Sequence, residues 1–149
     1  MNSDPSMRAC ELFDTTGFYC AESVLLAVAE HLNIHSELIP RIASGFCSGM
    51  ARTGGMYGAV SGGIMAIGFA MGRNAPTDDL DPSYQAVRAF LDRFSTQYHA
   101  LSCLELTGVH LGTLEGQVAF QEKGQMKLCG DYVGEATRLV VEIIGDRVR

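Results

Sequence analysis

The chain has 149 residues, of which 47% are hydrophobic and 19% charged, and a formal net charge of −6. Those values describe a folded chain with a real hydrophobic core and exclude a disordered one. The acidic balance, with basic residues scattered rather than clustered, leaves no electrostatic footprint for nucleic acid.

Residues 1–16 form a polar lead with one helical turn. The start, MNSDPSMRACELFD, carries an early acid and a proline and has no apolar stretch of the kind a signal peptide needs, so a reducing, cytoplasmic setting is expected. Five cysteines, at positions 10, 20, 47, 103 and 129, then read as free thiols, metal ligands or redox groups rather than structural disulfides. No CxxC pair occurs, which excludes a zinc ribbon and a thioredoxin-type motif.

Asp14-Thr15-Thr16-Gly17 offers capping side chains ahead of an apolar pattern. A helix is predicted from about Phe18 to His31, with Val24, Leu25, Val28 and Leu32 on one face and Cys20 in the first turn. A short helix is plausible over Glu37–Cys47, with Ile39, Ile42, Ala43 and Phe46 on one side, followed by a loop from Gly49 to Gly55. Tyr57 then opens a helix in which Val60, Ile64, Ile67 and Met71 recur at helical spacing.

This glycine-rich helix is the expected centre of the fold. Gly62, Gly63 and Gly68 in its interior should together cost roughly 2–3 kcal/mol relative to alanine, so close approach of a neighbouring backbone or a bound group must offset them. No residue between Arg52 and Arg73 is charged, and Gly58-x-x-x-Gly62 resembles a helix-dimerisation spacing. Thr53-Gly54-Gly55 reads as a turn, however, which leaves only about fifteen helical residues, too few to span a bilayer. No membrane span is expected.

After a charged connector at 73–82, Tyr84, Val87, Leu91, Phe94, Tyr98 and Leu101 form an amphipathic stripe over five turns, with Pro82 near its start. Residues 102–108 read as a turn or helix start holding Cys103, and 109–128 as loop plus a short helix. Cys129-Gly130-Asp131 opens the last predicted helix, whose broad apolar face includes Val133, Leu139, Val140 and Ile144. No alternating strands with hairpin turns occur. The expected fold is therefore all-α, a single domain over 1–149 built as a bundle of about five helices.

Cys20, Cys103 and Cys129 all fall at predicted helix starts, where unpaired N–H groups favour a thiolate, both nucleophile and metal ligand. Against this stands the plain reading of any one of them as a small buried hydrophobe. Cys10 lies outside any pattern, and Cys47 reads as core packing beside Phe46. His31 and His35, His99 and His110, and the Asp78, Asp79, Asp81 cluster are weaker candidates, better read as solvated or helix-capping groups.

A wider pattern joins these residues: Cys20-Ala21-x-x-Val24-Leu25, Ala43-Ser44-Gly45-Phe46, Gly58-Ala59-Val60-Ser61-Gly62, Cys103 with Leu106-Thr107-Gly108, and Cys129. Over about residues 17–145 it resembles the C_GCAxxG_C_C family of proteins described as redox-active. The resemblance implies four cysteines, a CGAxxG motif and an iron–sulfur or other metal centre, with Cys20, Cys103 and Cys129 matching three of the cysteines. At the motif this chain has Tyr57, followed by Gly58. Three alternatives stay open: Cys47 supplies the fourth sulfur, Tyr57 ligates or covers a three-cysteine site, or only the scaffold remains.

The expected role is electron transfer or metal handling rather than turnover of an organic substrate, and enzymatic activity is left open. Soft thiolate ligands favour iron–sulfur, zinc or copper(I) over magnesium or calcium. A homodimer and a redox partner protein are the expected associations. A cofactor-free helical interaction module and a thiol–disulfide protein are the alternatives.

Overall fold

A computed structural model describes residues 4–145; the first three residues of the polar lead lie outside that range. Among the described residues the structure is all-α. Its eight α-helices are α1 (Pro5–Glu11), α2 (Cys20–His31), α3 (Cys47–Arg52), α4 (Gly58–Met71), α5 (Asp81–Tyr98), α6 (Cys103–Thr107), α7 (Leu114–Glu122) and α8 (Gln125–Ile144). A π-helical turn, Leu12–Thr16, follows α1, and a 3-10 turn, Arg41–Phe46, precedes α3. The count exceeds the expected five because α1, α3 and α6 are too short to show a periodic pattern.

The core forms where α2, α4 and α8 meet, with α1 and α5 packed on the outside. Helix α4 is central, as its composition implies, and its glycines show why. A Cβ on Gly62 would lie 2.7 Å from the carbonyl oxygen of Ala21 and 2.9 Å from its Cα, so α2 and α4 touch backbone to backbone. A Cβ on Gly63 would meet the Phe90 ring at 2.5 Å. Gly68 is different: nothing lies within 4 Å of its Cβ position. Contact therefore explains two of the three interior glycines, and Gly68 remains a plain cost to helix stability.

Several elements differ from the sequence expectation. The polar lead is a helix that packs against α2 and α8, burying Ala9, Leu12 and Phe13. Asp4 caps its start by accepting the Ser6 N–H at 2.9 Å, and the Asp14 cluster expected to cap α2 does not do so, the N-cap there being Tyr19. Helix α2 begins at Cys20, where the Glu22 carboxylate accepts the Tyr19 N–H at 3.1 Å. The Glu37–Cys47 helix shortens to the 3-10 turn, in which Ala43 is buried but Ile42 is exposed. On α5 the core face is Ala86, Phe90 and Phe94, while Tyr84 is 52% exposed; Val87, Leu91 and Tyr98 flank that face. The expected stripe was rotated toward the more exposed side.

In the 73–82 connector Asp78 accepts the N–H groups of Asn74 and Ala75 within the loop, and only Asp79 reaches a helix start, accepting the N–H of Asp81 at the first position of α5. No helix among the described residues is long and apolar enough to cross a membrane.

Candidate functional site

The site is built where four chain segments converge. Residues 55–57 run antiparallel beside 101–103: the Tyr57 N–H donates to the Leu101 carbonyl at 2.8 Å, and the Cys103 N–H donates to the Gly55 carbonyl at 2.8 Å. That short pairing puts Cys103, the first residue of α6, beside Tyr57, the N-cap of α4. One residue on, Gly58 presses directly on the Cys20 sulfur, leaving no room for a Cβ. Cys129 comes from α8, and its carbonyl accepts the Tyr57 hydroxyl at 3.3 Å. The Tyr57 ring meets Tyr132 edge-on, with centroids 5.4 Å apart.

Cys20, Cys103, Cys129 and Tyr57 line one cavity of about 260 Å³, together with Phe13 and Phe120. All four are at least 95% buried. Arg52, Gln117 and Gln121 also line it and add the polar groups. Sequence reasoning brought the three cysteines and Tyr57 forward but missed Arg52, Gln117 and Gln121. Their only signal was position, since nothing in an exposed loop or a weakly patterned helix marks them.

Cys47 stands off this wall. It is buried behind Cys20, with its thiol in hydrogen-bond contact with the Cys20 sulfur. Its Sγ also lies 3.7 Å from Glu22 Oε1 and 3.7 Å from the Ala43 carbonyl oxygen. Cys10 is elsewhere, against α8, where its Sγ is 3.5 Å from the Gly130 carbonyl oxygen.

The segment that positions Cys47 was expected to be a loop and is a left-handed helical turn. Ser48, Gly49, Met50, Ala51 and Arg52 have φ between 56° and 69°. For an L-residue this conformation costs about 1–2 kcal/mol, so the four non-glycine residues of this five-residue run need support from their surroundings. Support comes from Thr53, whose hydroxyl donates toward the Gly49 and Met50 carbonyls, and from the Gly55 N–H, which donates to the Gly49 carbonyl at 3.0 Å. The Ser48 N–H is directed at the Cys20 sulfur. At Gly49 only glycine fits, because a Cβ there would lie 2.5 Å from Cys103 Cβ.

The thiols are not equivalent. The hydrogen bond from Cys47 and that from the Ser48 N–H lower the Cys20 pKa despite its burial, and the same contact pushes Cys47 far up. Burial raises Cys103, with the Thr107 hydroxyl opposing, and pushes Cys129 up to about 11, with the Tyr57 hydroxyl opposing. Burial likewise raises the Tyr57 phenol, reinforced by Cys20 and Cys129, and keeps it neutral. The expectation that helix starts would favour the thiolate is thus corrected for Cys103 and Cys129, whereas the Cys20 pKa does fall. Cys129 is the fifth residue of α8, which begins at Gln125, and Cys103 opens a helix of five residues where burial dominates.

Among the described residues, no three His, Cys, Asp or Glu side chains converge closely enough to hold one metal ion. A single tetrahedral ion with Zn–S bonds near 2.3 Å would need its sulfurs within roughly 4 Å of one another. The histidines do not join the site as a pair. Asn33, at φ 56°, ends α2 between His31 and His35, and His110 Nδ1 accepts the Gly112 N–H at 3.0 Å.

The fold is thus a small all-α one with three buried free thiols lining one cavity. Residues 18–143 match the family described as "Putative redox-active protein (C_GCAxxG_C_C)", and the chain belongs to that family. No curated protein and no solved structure matches it.

Proposed function

We propose that this redox-active protein holds an iron–sulfur or other thiolate-bound metal centre, used for electron transfer or metal handling. The observation that supports the reading is the meeting of Cys20, Cys103 and Cys129, from three different helices, as buried residues lining one cavity. Such a centre would supply a one-electron couple or a site for metal transfer. Cys20, Cys103 and Cys129 are the ligands in this reading. Cys47, the other candidate ligand, stabilises negative charge on Cys20 by hydrogen bonding to it, and Gly58 keeps α4 against the Cys20 sulfur. Tyr57 occupies the fourth side as a neutral phenol tied to the Cys129 carbonyl, where it excludes water. Binding requires protons to leave Cys103 and Cys129, so uptake is favoured as pH rises.

The protein works in this reading as a single helical domain in a reducing cytoplasm. Exposed Leu114, Val118 and Met126 support contact with a second copy or with a redox partner.

The test is an absorption spectrum with iron and sulfide analysis on protein purified without oxygen. Visible charge-transfer bands with stoichiometric iron, lost in Cys103→Ser and Cys129→Ser, are expected. A colourless, iron-free protein after anaerobic reconstitution would overturn the reading. That result would favour the second reading, a cofactor-free helical module, which the presence of Tyr57 on the fourth side supports.

A further inference from the structure

The cavity has two sides of different character. Cys20, Cys103, Cys129 and Tyr57 form its buried side, whereas Arg52, Gln121 and Met126 line it as exposed residues and make its rim. Among the described residues that line it, Arg52 alone carries a charge. The chain as a whole has a net charge of −6, yet no carboxylate among the described residues forms an ion pair with that guanidinium. Arg52 is held on both sides. It ends the left-handed α3 at φ 69°, and its carbonyl oxygen abuts Gly112, where a Cβ would lie 2.6 Å away. The neighbouring Leu111 carbonyl accepts the Gln117 side-chain amide at 2.9 Å, which ties α7 to the same edge. Gln117 and Gln121, four apart on α7, share the helix face that lines the cavity, while Leu114 and Val118 are exposed.

We propose that the cavity binds a small organic monocarboxylate with an apolar body, its carboxylate held by Arg52 at the rim. A guanidinium presents a planar fork of N–H donors that matches a carboxylate through two parallel hydrogen bonds. One cation balances one negative charge, which favours a monoanion over a dianionic phosphate ester. At the exposed rim the carboxylate keeps part of its hydration, so its desolvation cost stays small, and the Gln121 amide supplies a further donor. Further in, Phe13, Leu111 and Phe120 offer apolar surface to a hydrocarbon chain or an aromatic ring. The volume of about 260 Å³ lies just below the range of about 300–1,000 Å³ usual for drug-sized ligands, which limits the occupant to a small molecule. A bound carboxylate of this kind covers the three thiols and closes them off from solvent.

The site adjoins the thiols but does not rest on a metal, so the test uses full-length, reduced, metal-free protein. Phenylacetate and its neutral counterpart phenylacetamide are titrated by calorimetry, and backbone amide NMR shifts locate the bound molecule. Saturable phenylacetate binding is expected, about tenfold or more tighter than phenylacetamide, with the largest shifts at Arg52, Cys103 and Gln121. Arg52→Gln should abolish the preference for the acid and Arg52→Lys should keep part of it. Arg41→Gln, on the 3-10 turn and away from the cavity, should leave it unchanged. Absent binding, equal affinities for acid and amide, or largest shifts elsewhere would overturn the proposal. A folded Arg52→Gln protein, judged by circular dichroism, with the parent's preference would overturn it as well. The acid–amide comparison in the parent decides the matter even where Arg52→Gln does not fold. Failure of carboxylate binding in a protein that takes up iron would defeat this site alone; carboxylate binding without iron uptake would defeat only the metal centre.

Discussion

The α2–α4 interface and the Cys47–Tyr57 corner both rely on glycine, but for different physical reasons. At the interface Gly62 has ordinary helical geometry and is needed because the Ala21 backbone lies where a Cβ would go. In the corner Gly49 is needed twice over, for its φ of +68° and for the Cys103 Cβ that crowds it. The interface is regular structure made tight. The corner is irregular structure held against its own preference, and it adjoins the thiols. Strain of this kind gathers where a site must be positioned rather than where a core must merely be filled.

That contrast can be broken by substitution, with stability read from urea unfolding. Gly49→Ala should cost most, about 2–5 kcal/mol, since left-handed strain and overpacking add. Gly62→Ala should cost less, about 1–2 kcal/mol net, because overpacking is partly offset by the better helix propensity of alanine. If Gly62→Ala proves neutral, the two helices do not touch as described. Smaller effects of the opposite sign sharpen the comparison. Ala51→Gly should stabilise by about 1 kcal/mol, reversing the usual penalty, because Ala51 sits at φ 56°. Gly68→Ala should also stabilise by about 0.5–1 kcal/mol, having open space around it. A destabilising Ala51→Gly would mean that the left-handed turn is not populated.

The smallest effect expected is on alkaline stability. Tyr98 meets Tyr132 edge-on with centroids 4.7 Å apart, and burial pushes its phenol from 10 up to about 12. The native state therefore keeps this proton after the unfolded chain has lost it. The contribution of Tyr98 is fully present below pH 10 and is lost as pH rises from 10 through about 12. Urea midpoints of Tyr98→Phe should fall less steeply than those of the parent across that window, and equal slopes would count against the shift.

Much of the fold was legible from local pattern. The 3.6-residue period marked α2, α4, α5 and α8, and the glycines of α4 pointed to a close neighbour before any neighbour was known. The start of α8 was misjudged by four residues because Cys129-Gly130-Asp131 looks like a cap, whereas Gly124 supplies the actual left-handed N-cap at φ 66°. The face of α5 was misjudged because Tyr84 counts as apolar in a pattern but leaves half of its surface in water.

By itself the sequence determined the all-α class and the central glycine helix, since these follow from residue type and spacing along the chain, and it brought Cys20, Cys103 and Cys129 forward as candidates. Only the tertiary structure decided that Cys20, Cys103 and Cys129 share one wall with Tyr57 while Cys47 stands behind Cys20. Those relations span distant segments, and they rest on a left-handed turn that no residue between 48 and 52 except Gly49 favours. Surrounding contacts stabilise that turn, and contacts between distant segments have no period to read.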